Sequence, residues 1–476
     1  QPQRRRRLER GRPRQRGHNR PKPMRFALPS RSSPRRPHRA AAPAGSVLII
    51  VLWITFGIVS IALYFGHSML LHFRAVEHDA AGAQAEQAIA GVIRYIGWVV
   101  TNYADTGEMP FDDDYGYEAV RIGDATFWLI SRCDPEDATD VPVYGLMDEA
   151  SKLNLNTATL EMLQALPLMT EELAAAIVDW RDTNSEATAN GAESETYLRR
   201  TPPYRAKDAP FESVEELRLL SGASDELLFG EDTNCNGVLD PNENDGDATL
   251  PPDDRDGVLD PGLIEYFTVF TRESALRSDG TNRINVSSGT NQELASLLQE
   301  FLGQERAAQV RSQLAGSTNI ASLLEFYIRS GLSIEEFEEI DGYLVVTNQM
   351  QGLVNVNTAS AVVLACIPGL DSEKANQLVA YRRTKPIDQT SIAWVAEVLD
   401  SQTAIQAGPY LTSRTFQFGL DIVALGQNGR GYRRRWVILD TTEGRPKVIY
   451  QRDRARLGWA LGAETRKDWL AKMELR

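Results

Sequence analysis

The sequence predicts an α+β protein: a long N-terminal helix packed on a small antiparallel sheet, interrupted by a large, mainly helical insertion. Three observations carry this. An uncharged apolar stretch at residues 46–65 runs on into helical periodicity as far as Val100. Short β-rich segments stand at 117–146 and again at 416–451, far apart in the chain. Between them lies helical sequence in which one short motif recurs.

Residues 46–65 (SVLIIVLWITFGIVSIALYF) are long enough to cross a bilayer as a helix. Residues 1–44 hold fifteen Arg and Lys against one acid, Glu9. That asymmetry predicts a cytoplasmic N-terminus, a single span and an exported body. A secretory signal would have a shorter apolar core and small residues at its cleavage site, whereas His67-Ser68-Met69-Leu70-Leu71-His72 follows here. Beyond the span, Ala85, Ala88, Ile89, Val92, Ile93, Ile96, Val99 and Val100 recur at three- and four-residue steps, with Glu86, Gln87 and Arg94 between them. One helix from 46 to 100 would be about 80 Å long. Ile50, Val51, Ile54 and Ile58 are expected to meet lipid or neighbouring helices, and the lower half to cover the sheet.

Net charge is −14, and removing the basic leader leaves residues 46–476 at −28. Such a body repels phosphate backbones, so no nucleic-acid partner is expected. All five histidines (His18, His38, His67, His72, His78) precede residue 79. Residues 79–476 therefore offer no histidine base, no Ser-His-Asp triad and no histidine metal ligand. No catalytic residue is assigned and no small-molecule substrate is expected. Cys133, Cys235 and Cys366 allow one bridge at most.

Residues 117–132 read as two short strands about Gly123-Asp124, with a third at 141–146. After the helical block, 416–425 and 432–439 read as strands joined at Gly426-Gln427-Asn428-Gly429, and 447–451 as another. The domains are placed at 1–45 (leader), 46–147 (helix and first strands), 148–410 (insertion) and 411–476 (closing strands).

Within the insertion, Asn154-Leu155-Asn156-Thr157-Ala158 matches Asn355-Val356-Asn357-Thr358-Ala359, and the register holds through Pro167/Pro368 to Trp180-Arg181/Tyr381-Arg382. Ile284-Asn285-Val286-Ser287-Ser288 is a degenerate further copy. Asn or Thr ahead of an apolar-periodic segment signals a helix N-cap, and a further helix is expected from Pro210 to Leu217. The unit resembles helix-hairpin-helix (SAM-like) modules, which grip phosphates through glycine-rich turns. Here Pro167-Leu168-Met169 lacks glycine, and Asp371 follows Pro368-Gly369-Leu370. A packing scaffold is the reading preferred over the alternative, a membrane-anchored DNA-binding protein.

Residues 232–243 fit a twelve-position calcium loop: Asp232, Asn234, Asn236, Asp240 and Glu243 supply side-chain oxygens, Val238 a carbonyl, and Gly237 the turn. Asp254, Asp256 and Asp260 repeat its core with Gly257, but Pro252 and Leu263 occupy the end positions. Asp253, Asp245, Asp247 or Glu265 would have to complete that second loop. One calcium ion is expected from the first loop, and a second from 253–260. The bland alternative is an acidic, solvated linker.

Leader, span, loops and insertion together resemble the minor pseudopilin K family of bacterial type II (general) secretion. GSVLIIVLW at the span, LNLNTAT and VNVNTAS at the helical units, and IVDWRD at 177–182 carry the likeness. Ile50 stands where ordinary pilins carry glutamate, as in that family. The resemblance implies cleavage by prepilin peptidase between Gly45 and Ser46, with methylation of the new amine. It implies an inner-membrane protein with a periplasmic body. Partners would be minor pseudopilins I and J at the tip of the pseudopilus, with the insertion blocking further addition. Calcium would be a structural staple.

Overall fold

The computed structural model describes residues 46–132, 142–246, 248–277, 279–289, 291–317, 319–346, 352–385 and 391–467. The chain divides into two units, 1–70 and 71–476. The described part of the first is helical sequence only, the opening of a 56-residue helix, Ser46–Thr101. No proline interrupts it, and its last turn is closed by Thr101 Oγ1 donating to the Gly97 carbonyl at 2.8 Å.

In the second unit, Ala85, Ala88, Ile89, Val92, Ile96, Val99 and Val100 form one buried stripe on this helix. It covers an antiparallel sheet whose order is Val120–Ile122, Ala125–Ile130, Gln417–Leu425, Arg433–Asp440, Lys447–Asp453, with Met147–Asp148 also pairing Gln417–Leu425. Period two decides the faces. Phe418, Leu420, Ile422 and Ala424 meet the helix together with Phe127, Leu129, Val437 and Leu439. Val423 and Leu425 turn the other way, with Trp128 and Ile130, onto Ala460 and Leu461. Both faces are covered, so every residue of Gln417–Leu425 is buried. Each fully buried Ile, Val, Leu or Phe here contributes about 1.5–3 kcal/mol.

The turn between the two central strands sits against the helix backbone. A Cβ on Gly426 would lie 2.1 Å from the Ala81 carbonyl oxygen, and one on Gly431 2.3 Å from Ala81 C and Gly82 N. Only glycine permits that approach.

The strand expected at 141–146 is corrected. Residue 141 lies outside the described residues, and Tyr144 makes a single bridge to Ile130. The paired strand is Met147–Asp148 instead. Pro142 has no N–H to give a ladder, and Gly145 turns the chain at φ +152°.

The insertion is three successive units, each opened and closed by a two-residue parallel pair. Leu153–Asn154 pairs with Phe267–Thr268, Ile284–Asn285 with Leu344–Val345, and Val354–Asn355 with Leu411–Thr412. Parallel pairing requires a crossover, which the helices supply. The motif asparagine makes the same turn each time: Asn154, Asn285 and Asn355 Oδ1 accept from the backbone N–H two residues on, at 2.8, 3.0 and 2.9 Å. A positive-φ residue separates two helical segments in each unit, namely Leu168, Gly303 and Gly369. Arg181 and Arg382 both donate to motif carbonyls, those of Leu155 and Val356. The helix expected from Pro210 is a shorter 3-10 helix, Val214–Leu219, with a Ser213–Glu216 capping box.

Asp148, a buried carboxylate on the sheet edge, ties the last unit to the sheet. It accepts from Asn355 Nδ2 at 2.8 Å, Thr358 Oγ1 at 2.5 Å, Thr415 Oγ1 at 2.7 Å and Ala150 N at 2.7 Å. Burial still pushes its carboxyl up to about 6. Cys235 and Cys366 are free, and Cys133 lies outside the described residues.

Candidate functional site

Segment 231–262 begins and ends at one point. Glu231 N–H donates to the Asp260 carbonyl at 3.0 Å, and Gly230 bridges Pro261. A Cβ on Gly262 would lie 2.2 Å from the Leu228 carbonyl oxygen, so glycine permits the closure.

Inside it, Asp232 caps its own loop: Oδ1 accepts from Asn236 N at 2.9 Å and Oδ2 from Gly237 N at 2.8 Å. Cys235 and Gly237 take φ of +53° and +70°, which brings the loop tightly round. Asn234 and Asn236 Nδ2 both donate to Asp240 Oδ2, at 2.7 and 3.0 Å. Asn236 Oδ1 accepts from Val238 N at 2.8 Å. Glu243 Oε2 accepts from Asp240 N at 3.0 Å.

Among the described residues, no donor reaches two buried oxygens in this loop, Asn234 Oδ1 and Glu243 Oε1. They stand at the third and twelfth loop positions, where a calcium loop places side-chain ligands. Burial and the Asp232 charge push the Glu243 carboxyl up to about 9, and burial raises Asp232 as well. The donor set is all oxygen and rich in negative charge, which fits a hard divalent cation. Among the described residues, no three His, Cys, Asp or Glu side chains are gathered closely enough to hold an ion without rearrangement.

Arginines from the sheet and its edge clamp this loop from beneath. Arg434 is buried and donates to Asp421 Oδ1 at 2.8 Å and Oδ2 at 2.6 Å, and to the Asn234 carbonyl at 2.5 Å. Its other Nη, and Arg132, donate to the Cys235 carbonyl. Arg454 adds a 3.0 Å bond to Asp421. The sequence reading missed all four residues because they lie from a hundred to more than two hundred positions from the loop.

The second acidic loop is differently used. Asp254, Asp256 and Asp260 are exposed. Asp253 accepts from the Asp245, Gly246 and Arg255 N–H groups, so it holds a backbone turn. Asp245 accepts from Thr249, and Glu265 is paired with Arg132 at 3.1 Å. Neither points to a shared ion with 254–260, and Asp247 lies outside the described residues. The carboxylate that does reach this cluster is Glu231, buried and accepting from Asp260 N at 3.2 Å. Burial raises it, with Asp260 and Asp254 adding to the effect. Its place one residue before the first loop was the only available signal.

On the apolar helix, Ile50, Val51, Ile54 and Ile58 are 57, 51, 56 and 61% exposed. Val47–Thr101 is long and apolar enough to contain a membrane span by composition. Gly45 and the Ser46 side chain lie outside the described residues. At the last hairpin, Asp371 N-caps Ser372–Thr384 by accepting from Lys374 N at 2.9 Å. A carboxylate occupies the helix N-terminus that a phosphate would need.

Residues 146–229 and 354–408 match family models described as type II secretion system (T2SS), protein K. Type II secretion system protein K of Klebsiella pneumoniae is 42% identical over 66 residues, which are 14% of this chain and 20% of that protein. The match thus spans about a fifth of that curated relative. The GspK-GspI-GspJ complex from the enterotoxigenic Escherichia coli type 2 secretion system includes a chain similar to this one at a TM-score of 0.37 and 11% identity, over 82% of this chain and 98% of that one.

Proposed function

We propose that this chain, two segments of which match type II secretion protein K models, is a member of that family and a minor pseudopilin closing the tip of a periplasmic pseudopilus. The observation that carries this reading is the union of those segments with a helix whose apolar opening is exposed from Val47 to Phe65 except at Gly57. In this reading 46–65 lies in the inner membrane before assembly and among neighbouring helices afterwards. The leader stays cytoplasmic and the body is periplasmic. Prepilin peptidase cuts between Gly45 and Ser46 and methylates the new amine.

The partners we propose are minor pseudopilins I and J, the proteins named with GspK in the E. coli complex. Three units inserted between Met147–Asp148 and Gln417–Leu425 add bulk that blocks a further subunit. No residue is assigned a catalytic role, and the Asp371 carboxylate speaks against the DNA-binding alternative.

Calcium is the proposed staple. Asp232, Asn234, Asn236, Asp240, Glu243 and the Val238 carbonyl would hold one ion. Asp254, Asp256 and Asp260 with Glu231 would hold a second. An ion supplies the positive charge that the buried oxygens of Asn234 and Glu243 lack.

The test is the N-terminal sequence and mass of the protein from membranes with and without prepilin peptidase. A methylated Ser46 start that depends on the peptidase is the expected result. An intact leader in its presence, or cleavage beyond Phe65, overturns the reading. Cross-linking to I and J then tests the tip position.

A further inference from the structure

The antiparallel sheet ends at Lys447–Asp453, and among the described residues no strand pairs with its outer side. The opposite edge strand, Val120–Ile122, has three residues; this one has seven and spans about 20 Å. Ladder parity assigns its backbone groups. Arg454 N–H donates inward to the Arg434 carbonyl at 3.0 Å, so Arg452 and Tyr450 also bond inward. Gln451 and Asp453 therefore turn their N–H and C=O groups outward, where a further strand would meet them. A bulge at Ile438/Leu439 leaves Ile449 with no residue opposite it.

Both faces of this strand are fastened while its edge is open. On the insertion side, Tyr450 packs on Phe270 at 5.2 Å, its hydroxyl donates to Glu215 at 3.1 Å, and Arg452 pairs with the same carboxylate. On the helix side, a Cβ on Gly97 would lie 3.6 Å from Pro446, so the preceding turn rests against the helix. A strand held this way is already in the geometry a partner needs, which lowers the ordering cost of binding. At its open side Val448 and Ile449 are 41 and 36% exposed.

Charge decides what fits there. Residues 411–476 hold fourteen Lys and Arg against seven Asp and Glu, in a body that is otherwise strongly acidic. Arg452 and Arg454 are spent on Glu215 and Asp421. Arg445, Lys447 and Arg456 are exposed, and no carboxylate among the described residues pairs with them. Asp453 accepts from Ala455 N–H at 2.8 Å, which commits it to the turn that follows. We propose that the Lys447–Asp453 edge binds an extended segment of another protein by strand addition, the segment carrying acidic residues on either side of apolar ones. Main-chain bonds at Gln451 and Asp453 supply affinity, Val448 and Ile449 the apolar contact, and the three free cations the selection. A second copy of this edge would bring the same surplus of cations against itself.

The experiment titrates labelled peptides, as long as the strand, into the detergent-solubilised full chain and follows fluorescence anisotropy. One alternates Val and Thr with Glu at both ends; the other has Lys at both ends. The acidic peptide should bind at least about tenfold more tightly, and salt should weaken it. Gln451→Pro removes an outward N–H while sparing the sheet's own ladder, and should weaken binding about tenfold or more. Should that variant not fold, the acidic peptide methylated on alternate backbone nitrogens is tested on the unaltered chain, with the same loss expected. No binding at about 1 mM, equal binding of both peptides, or binding indifferent to Gln451→Pro or to N-methylation overturns the proposal. A dimer in sedimentation that the acidic peptide dissolves makes a second copy the occupant, which also overturns it.

Discussion

Replacing Arg434 by methionine removes one member of an ion pair in which both side chains are 0% exposed. The guanidinium makes two parallel bonds to Asp421, at 2.8 and 2.6 Å, and a third to the Asn234 carbonyl at 2.5 Å. Breaking a buried pair from one side costs about 3–5 kcal/mol, because a charge is left in low dielectric. Arg454 still reaches Asp421 at 3.0 Å, which lowers that figure. The stranded loop carbonyls each add about 1 kcal/mol. We therefore expect Arg434→Met to cost about 4 kcal/mol, and Asp421→Leu, which leaves Arg434 unpaired, about as much. The double variant strands neither Asp421 nor Arg434, though Arg454 loses its bond to Asp421, and should cost about 2 kcal/mol, less than either single change.

Denaturant unfolding of the four proteins at pH 7 gives the cycle. A second reading comes from acid. Burial opposes ionisation of Asp421, but Arg434 and Arg454 outweigh it and hold the carboxyl down to about 2. Its folded value is below the unfolded one, so its contribution is present above pH 4 and is lost as pH falls toward 2. At 1.36 kcal/mol per unit this is about 2.5 kcal/mol. Single variants costing under about 1 kcal/mol, or an additive cycle, would refute the argument that this pair carries the loop on the sheet.

Chelation should lower the melting temperature in calorimetry; calcium at a hundred times its Kd should restore about 2.7 kcal/mol, and a melt indifferent to chelator removes the staple. Gly431→Ala should destabilise by about 3 kcal/mol in urea, since its Cβ meets the Ala81–Gly82 backbone at 2.3 Å and φ is +69°; a neutral result would mean the hairpin does not rest on the helix. Asp148 works in the opposite sense to Asp421. Its folded pKa, about 6, lies above the usual carboxylate value, so the contribution is full below pH 4 and lost as pH rises through 6, by about 3 kcal/mol. Urea midpoints of wild type and Asp148→Asn should diverge over that interval, and parallel profiles would count against the buried hub.

Much of the fold was legible because it rests on local periodicity. The helix stripe from Ala85 to Val100 and the alternation in Gln417–Leu425 are written at periods near 3.6 and 2, and both formed as read. The degenerate copy at Ile284–Asn285 kept only the asparagine turn, yet that turn was enough to fold the same opening. The strand at 141–146 misled because β-rich composition does not reveal the register a sheet will accept. Pro142 and Gly145 moved the pairing to Met147–Asp148. The loop spacing from Asp232 to Glu243 was equally visible. Its supports, Arg132, Asp421, Arg434 and Arg454, have no local signature at all.

The sequence by itself determined the long helix, the strands at 417–425 and 433–440, where the chain is apolar enough for lipid and which loop is rich in oxygen donors. Each of these depends on neighbours within a turn or two. Tertiary structure alone decided which of those oxygens are left without donors, and that arginines on the closing strands hold the loop. It also paired Asp148 with Thr358 and Thr415, residues more than two hundred positions away. The physical reason is desolvation. A carboxylate's cost depends on what surrounds it in space, and burial is a property of the packed chain rather than of any segment in it.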